Sequence, residues 1–199
     1  MNRVVAALGA QLAKPHGVAG GLVNRVMRIA NRRSTRLAVE ALGPVDGQTI
    51  LDLGCGSGDA VGVLERHARD VSIIGIDHAP MAIADARRRF PRHRFDVAAF
   101  EDLPIADQAV DCVLASNVAY FWRDDRRVLA EIRRVVRPGG RLALYVTDGA
   151  VLARCGLDRA GTHRLLFRRD LEAMLGQDCT TTRVDAGFGV DGWLAVMIC

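Results

Sequence analysis

The run Thr49-Ile50-Leu51-Asp52-Leu53-Gly54-Cys55-Gly56-Ser57-Gly58-Asp59 constrains this chain more than any other stretch. Four of its first five residues are apolar or β-branched, as a buried strand in the middle of a parallel sheet requires. Gly54, Gly56 and Gly58 then remove three Cβ atoms where the chain turns toward a helix, so a ligand can approach the backbone itself. A strand that breaks into a glycine loop points to a nucleotide-type ligand.

The glycines alone do not name that ligand. A dinucleotide fingerprint spaces its glycines as G-x-G-x-x-G and sets a pyrophosphate on the helix N-terminus. Here the third glycine comes one position early, and Asp59 takes the fingerprint's last glycine position. Asp52 and Asp59 would flank the phosphate site with no basic residue between them. Such a pair repels a pyrophosphate and suits a cation. Val71-Ser72-Ile73-Ile74-Gly75-Ile76-Asp77 follows as a second apolar strand ending in an acid. A carboxylate at a strand's tip can accept hydrogen bonds from both hydroxyls of a ribose.

Ile50 to Asp59, with Asp77 after it, resembles the first two motifs of the class I S-adenosylmethionine-dependent methyltransferases. The resemblance covers residues 44–199, including Leu103-Pro104 and the run from Glu131 to Leu144 with its Arg-Pro-Gly-Gly turn. The preface with Pro15, Gly17 and Asn31 is similar to the small-molecule branch labelled type 11. It implies an α/β fold, a doubly wound, mostly parallel seven-stranded Rossmann-like sheet with a reversed last strand and N-terminal helices. It also implies S-adenosylmethionine as cofactor, S-adenosylhomocysteine as product and no metal. Asp52 would lie near the cofactor's methionine end, with Gly54, Cys55, Gly56 and Gly58 forming the loop and Asp77 taking the ribose. His78 would lie against the adenine, Met81 would border the adenosine, and Phe100 and Ser116 would complete the cofactor site. One departure stands out. Many relatives carry an acid for the adenine amino group where this chain has Ala99, and Asp96 lies three residues too early to replace it.

A chain of 199 residues with 50% hydrophobic content can bury a core as one compact unit. The expected division is a helical cap over residues 1–43 and a methyltransferase domain over residues 44–199. The net charge of +4 would raise nucleic acid as a partner, yet Lys14 is the only lysine and the arginines lie among acids. Solvated faces, rather than a basic groove, account for them. Cys55, Cys112, Cys155, Cys179 and Cys199 are odd in number and lack C-x-x-C spacing, which argues against a disulfide framework or zinc site and for a cytoplasmic location. Met1-Asn2-Arg3 and the apolar run to Ala10 are too short for a signal peptide. No apolar segment reaches bilayer-spanning length, so no membrane partner is expected. An exposed edge or the preface helices offer a surface for a homodimer.

Periodicity predicts helices over residues 1–13 and 21–42 and one from Pro80 to Phe90. Strands are expected over residues 93–97, 110–116 and 141–147, with Arg137 to Gly140 as a turn after a helix from Arg126 to Val136. The tail should give a helix over residues 169–176 and a closing hairpin of strands over 180–186 and 193–199.

In-line displacement of a sulfonium methyl depends mainly on holding the acceptor atom near the methyl carbon, so no residue type is obligatory. A base matters only if the acceptor must lose a proton. The acceptor should lie outside the carboxyl ends of the fourth and fifth strands, where the chain offers Ser116-Asn117-Val118-Ala119-Tyr120-Phe121-Trp122. Asn117 and Tyr120 have the spacing of the Asn-Pro-Pro-Tyr motif of amino-directed methyltransferases, but Val118 and Ala119 replace both prolines. Asn117, Tyr120 and Trp122 are the candidate acceptor contacts, and Phe121 is expected to pack inward. His16 and Tyr120 are the candidate bases. His67, His93 and His163 show no metal spacing and are expected to be structural or exposed. The expected reaction is methyl transfer to a small organic acceptor. The alternatives are a silent cofactor-binding subunit working through a partner, and a nucleic-acid or protein methyltransferase.

Overall fold

The computed structural model describes residues 31–157, 163–176, 178–187 and 189–199. Seven strands form one sheet: β1 (Thr49–Leu53), β2 (Ser72–Asp77), β3 (Arg94–Val97), β4 (Val110–Ser116), β5 (Val136–Thr147), β6 (Cys179–Asp185) and β7 (Asp191–Ile198). Their order across the sheet is β3-β2-β1-β4-β5-β7-β6. The pairs from β3 through β5 are parallel, and β7 runs antiparallel to both β5 and β6. The expected doubly wound sheet with one reversed strand is therefore present. Its strand order reverses between β1 and β4, which leaves a crevice outside the carboxyl ends of those two strands.

Two helical layers cover the sheet, and strand alternation explains which residues each one meets. The helix over residues 31–42 (α1), α2 (Val61–His67) and α3 (Pro80–Arg89) bury Ala38, Val39, Leu42, Val61, Leu64, Ile83 and Ala86 with Ile50, Ile73, Leu114 and Tyr145 of the sheet. The other face takes α4 (Asp125–Val135), α5 (Gly149–Arg154) and α6 (Arg168–Leu175) onto Leu51, Leu53, Val113, Leu142 and Leu144. In α4 the apolar spacing Val128, Leu129, Ile132, Val135 makes one buried stripe, each side chain contributing about 1.5–3 kcal/mol. Asp124 caps its start by accepting from the Arg126 and Arg127 amides at 3.0 and 3.2 Å.

The expected boundaries hold to within a few residues, with one difference in kind. Arg137 to Gly140 is not simply a turn between helix and strand. Val136 already pairs with Val110, the ladder resumes at Arg141 opposite Cys112, and the residues between them bulge. Gly139 supplies a φ of 81° there, and a Cβ on Gly140 would sit 2.5 Å from the Asp111 carbonyl oxygen. The expected helix over 21–42 is seen over its described part, residues 31–42, and the one over 1–13 lies outside the described residues. Among the described residues no helix is long and apolar enough to cross a membrane.

Candidate active site

The glycine loop is tied to the tip of β2 by its own backbone. The Gly54 and Cys55 amides both donate to the Ile76 carbonyl, at 2.8 and 3.1 Å, and the Gly58 amide donates to the Cys55 carbonyl at 2.9 Å. All three glycines have positive φ, but their surroundings differ. A Cβ on Gly54 would lie 2.3 Å from Val118, and one on Gly58 would lie 2.9 Å from Phe90. Those two glycines permit protein packing. Gly56, with a φ of 52°, has nothing within 4 Å of such an atom and is the position where a ligand can meet the loop.

Two buried acids lie beside the loop. Asp77 is buried at the tip of β2 and accepts from the Gly56 amide and the Ala79 amide, both at 2.9 Å. Asp52, two residues short of the loop, is 3% exposed, and its Oδ2 has no hydrogen-bond partner. Burial, then the charge of Asp77 and then that of Asp59, pushes the Asp52 carboxyl up to about 7. A buried carboxylate oxygen without a donor is costly, and a cationic group would relieve it. Asp59 does not share this role as expected from sequence. Arg89, at the end of α3, reaches back to it at 3.2 Å and to the Ser57 carbonyl at 2.5 Å. Asp52 and Asp77 therefore form the acidic pair. Ser116, opposite Tyr145 at the end of β4, adds a second buried oxygen without a partner.

Across the crevice, Asn117, Tyr120 and Thr147 are already used on one another. Asn117 sits in the left-handed region with φ of 55°. Its Oδ1 accepts from the Tyr120 hydroxyl at 2.8 Å, the Thr147 hydroxyl at 3.1 Å and the Thr147 amide at 3.3 Å. The Tyr120 hydroxyl also accepts from the Thr147 amide. Burial pushes the Tyr120 phenol well above its ordinary range. His163 lies half-buried against this turn, its ring 4.9 Å from Phe121 and 5.5 Å from Tyr120, and burial lowers its pKa. Arg164 fixes that segment by pairing with Asp125 at 2.8 and 2.9 Å and donating to the Ala119 carbonyl at 3.3 Å.

The methyltransferase-domain family model matches residues 51–144, from inside β1 to the middle of β5. An uncharacterised 37.1 kDa protein of a Streptomyces fradiae transposon is 31% identical over 169 residues, which cover 81% of this chain and 49% of that one. The demethylmenaquinone methyltransferase of Thermotoga maritima is 31% identical over 124 residues, covering 62% of this chain and 54% of its own. Among solved structures, the Haloferax volcanii complex of the Trm112 methyltransferase activator with a methyltransferase superposes with a TM-score of 0.75 at 20% identity. That match covers 87% of this chain and 91% of the other. Over residues 51–144 the chain is similar to the methyltransferase-domain family, and its fold is that of the methyltransferases among the solved structures. It spans about half the length of the curated relatives it matches.

Within this methyltransferase fold the expected site residues divide into those near the crevice and those the core consumes. Gly56 is open and bonded to Asp77, and Asp52 and Ser116 keep unpartnered buried oxygens near the carboxyl ends of β1 and β4. Cys55 is consumed by the core: its thiol is buried against Gly75, its amide and carbonyl are both bonded, and burial with the nearby acids drives its pKa far up. His78 and Met81 stand exposed beyond the tip of β2, and His78 meets the buried Phe100 edge-on at 6.3 Å. Asp96 cannot replace the acid absent at Ala99, because Arg87 and Arg94 hold it at 3.2 and 2.6 Å.

The acceptor side reverses the expectation from sequence. Tyr120 and Trp122 are buried, the latter only 4% exposed, whereas Phe121 is 42% exposed. The three-residue 3-10 turn Ala119–Phe121 causes this, since it rotates its first two residues into the core and its third outward. Tyr120 thus braces the turn, its hydroxyl held between Asn117 and Thr147. His163, expected to be structural or exposed, lies beside that turn, where its neighbour Arg164 is tied to Asp125 and the Ala119 carbonyl. His93 is structural as expected, bridging the Ile73 amide and Glu65 at 3.3 and 3.2 Å. His16 lies outside the described residues. Asn31 and Thr147, which join the Asn117 cluster, carry no catalytic motif and were not singled out as site residues.

Proposed function

We propose that this domain transfers the methyl group of S-adenosylmethionine to a small organic acceptor. The observation that carries the reading is the buried, unpartnered Asp52 oxygen beside the open space at Gly56, with Asp77 at the neighbouring strand tip. S-adenosylmethionine supplies a methyl group activated on a sulfonium, so the protein's part is to bind and orient. Asp77 accepts from the ribose hydroxyls while holding the loop through the Gly56 amide. Asp52 balances the ammonium of the methionine half, which lies toward Ser116. His78, Met81 and the Phe100 backbone border the adenine, in place of the acid lost at Ala99.

Beyond β4 and β5 the acceptor meets shape rather than polar grips, since Asn117 and Tyr120 are occupied by Thr147. Phe121 and His163 form that outer wall. The small-molecule reading is supported by the demethylmenaquinone methyltransferase among the relatives, by the two prolines missing between Asn117 and Tyr120, and by arginines that are largely paired with acids. The test is release of S-adenosylhomocysteine from S-adenosylmethionine with a panel of phenols, quinols and carboxylic acids. Turnover that requires one chemical class supports the reading. Turnover only with nucleic acid or protein would replace it.

A second reading, a cofactor-binding subunit that works through a partner, is favoured by Ala99 together with the engagement of Asp96. The activator bound in the Haloferax volcanii complex gives it a precedent of form. Binding of S-adenosylmethionine without methylation of any acceptor would select it.

A further inference from the structure

We infer that Asn31 of α1 is a positioning residue for the cofactor's amino-acid half. This rests on the proposed binding of S-adenosylmethionine at the crevice. Asn31 Oδ1 accepts a hydrogen bond from Asn117 Nδ2 at 3.3 Å, across 86 positions of sequence. Asn117 Oδ1 is already taken by Tyr120 and Thr147, so its amide nitrogen is the arm left to reach α1. The link therefore joins α1 to the ends of β4 and β5 at one side chain.

The conformation of Asn117 makes this more than a surface tether. Its φ of 55° is sparsely populated for a residue with a Cβ, and side-chain bonds on both ends of its amide hold it there. The residue before it is Ser116, whose buried oxygen has no partner, and the Asn117 amide donates to the Tyr145 carbonyl at 2.8 Å. Strand alternation puts Ser116, Asp52 and Thr147 on the sheet face that α1 covers. The first described turn of α1 is itself stitched, Ser34 donating to the Asn31 carbonyl at 2.9 Å while only 1% exposed. Three unpartnered oxygens, Asp52 Oδ2, Ser116 Oγ and Tyr145 Oη, thus sit on the sheet face that α1 covers. Asp77, His78 and Phe100 lie on the β2 side of β1, so the cofactor's nucleoside belongs there and its amino-acid half belongs under α1.

The experiment is calorimetric titration of wild type, N31A and N31D with two probes. S-adenosylhomocysteine carries the amino-acid half; 5′-methylthioadenosine lacks it. Asn31→Ala is expected to weaken S-adenosylhomocysteine about threefold to tenfold, the range for one lost hydrogen bond, and to leave 5′-methylthioadenosine unchanged. Asn31→Asp keeps an acceptor for Asn117 Nδ2 and should restore affinity. The melting temperatures of the unliganded proteins separate local from general effects. Equal affinity of N31A and wild type for S-adenosylhomocysteine overturns the inference, as does equal weakening for both probes. A wild type that binds neither probe overturns the cofactor reading first, and this inference with it.

Discussion

The two rims of the crevice are built on opposite principles. On the β1–β2 rim the protein leaves polar capacity unspent: Asp52 Oδ2 has no partner, and Gly56 faces open space. In the turn beyond β4, Asn117, Tyr120 and Thr147 satisfy one another and the exposed group is Phe121, while Ser116 Oγ at the end of β4 stays unpartnered like Asp52. Unsatisfied buried groups demand a polar ligand of defined charge, while a turn whose Asn117, Tyr120 and Thr147 groups are already spent on one another selects by shape. Many acceptors could fit such a rim with one cofactor, because only side chains on its outer wall would need to change.

Four substitutions break or sharpen this contrast. Asp77→Ala is expected to have the largest effect, a loss of about a hundredfold in S-adenosylhomocysteine affinity by calorimetry, since two hydrogen bonds to a charged group disappear and the glycine loop loses its tie. Tyr120→Phe should lower stability by about 1–3 kcal/mol in urea unfolding, because the Thr147 amide and Asn117 lose a buried partner. If the fold were instead undisturbed and methylation abolished, Tyr120 would be a base and the contrast would fail.

Asp52 gives the third. Its folded pKa of about 7 lies above the ordinary carboxylate value, so the folded state holds a proton that the unfolded state releases. Stability without ligand should therefore fall as pH rises from about 4 through 7, and Asp52→Asn should remove that slope. A cation binds the ionised form, so affinity for S-adenosylhomocysteine should rise about tenfold between pH 6 and pH 8 in wild type and stay flat in D52N. Affinity that falls with pH would show that Asp52 binds as a neutral acid. Phe121→Ala is expected to be smallest in energy, within about 0.5 kcal/mol of wild-type stability, with a raised KM for acceptor and an unchanged KM for cofactor.

The contrast also explains what could be read from sequence. Glycines with positive φ and acids at strand tips are backbone requirements, so Gly56, Asp52 and Asp77 announced themselves in one dimension. Strands alternating with helices likewise announced a doubly wound parallel sheet before any contact was known. Side-chain direction in a single 3-10 turn has no such signal. Tyr120, Phe121 and Trp122 are adjacent aromatics, and only the packing of α4 and the Arg164–Asp125 pair decides which of them faces outward. Asp59 was misjudged for a related reason: its partner Arg89 lies 30 residues away. The bond between Asn31 and Asn117 crosses 86 residues and leaves no local pattern at all.

The most direct test of the central claim, that the β1–β2 rim is built for a cationic nucleoside cofactor, is calorimetric titration of the purified protein with S-adenosylmethionine, S-adenosylhomocysteine and NAD at pH 8. The account predicts binding of the first two and none of NAD, whose pyrophosphate would face Asp52 and Asp77. Binding of NAD, or no binding of either sulfur nucleoside, would contradict it.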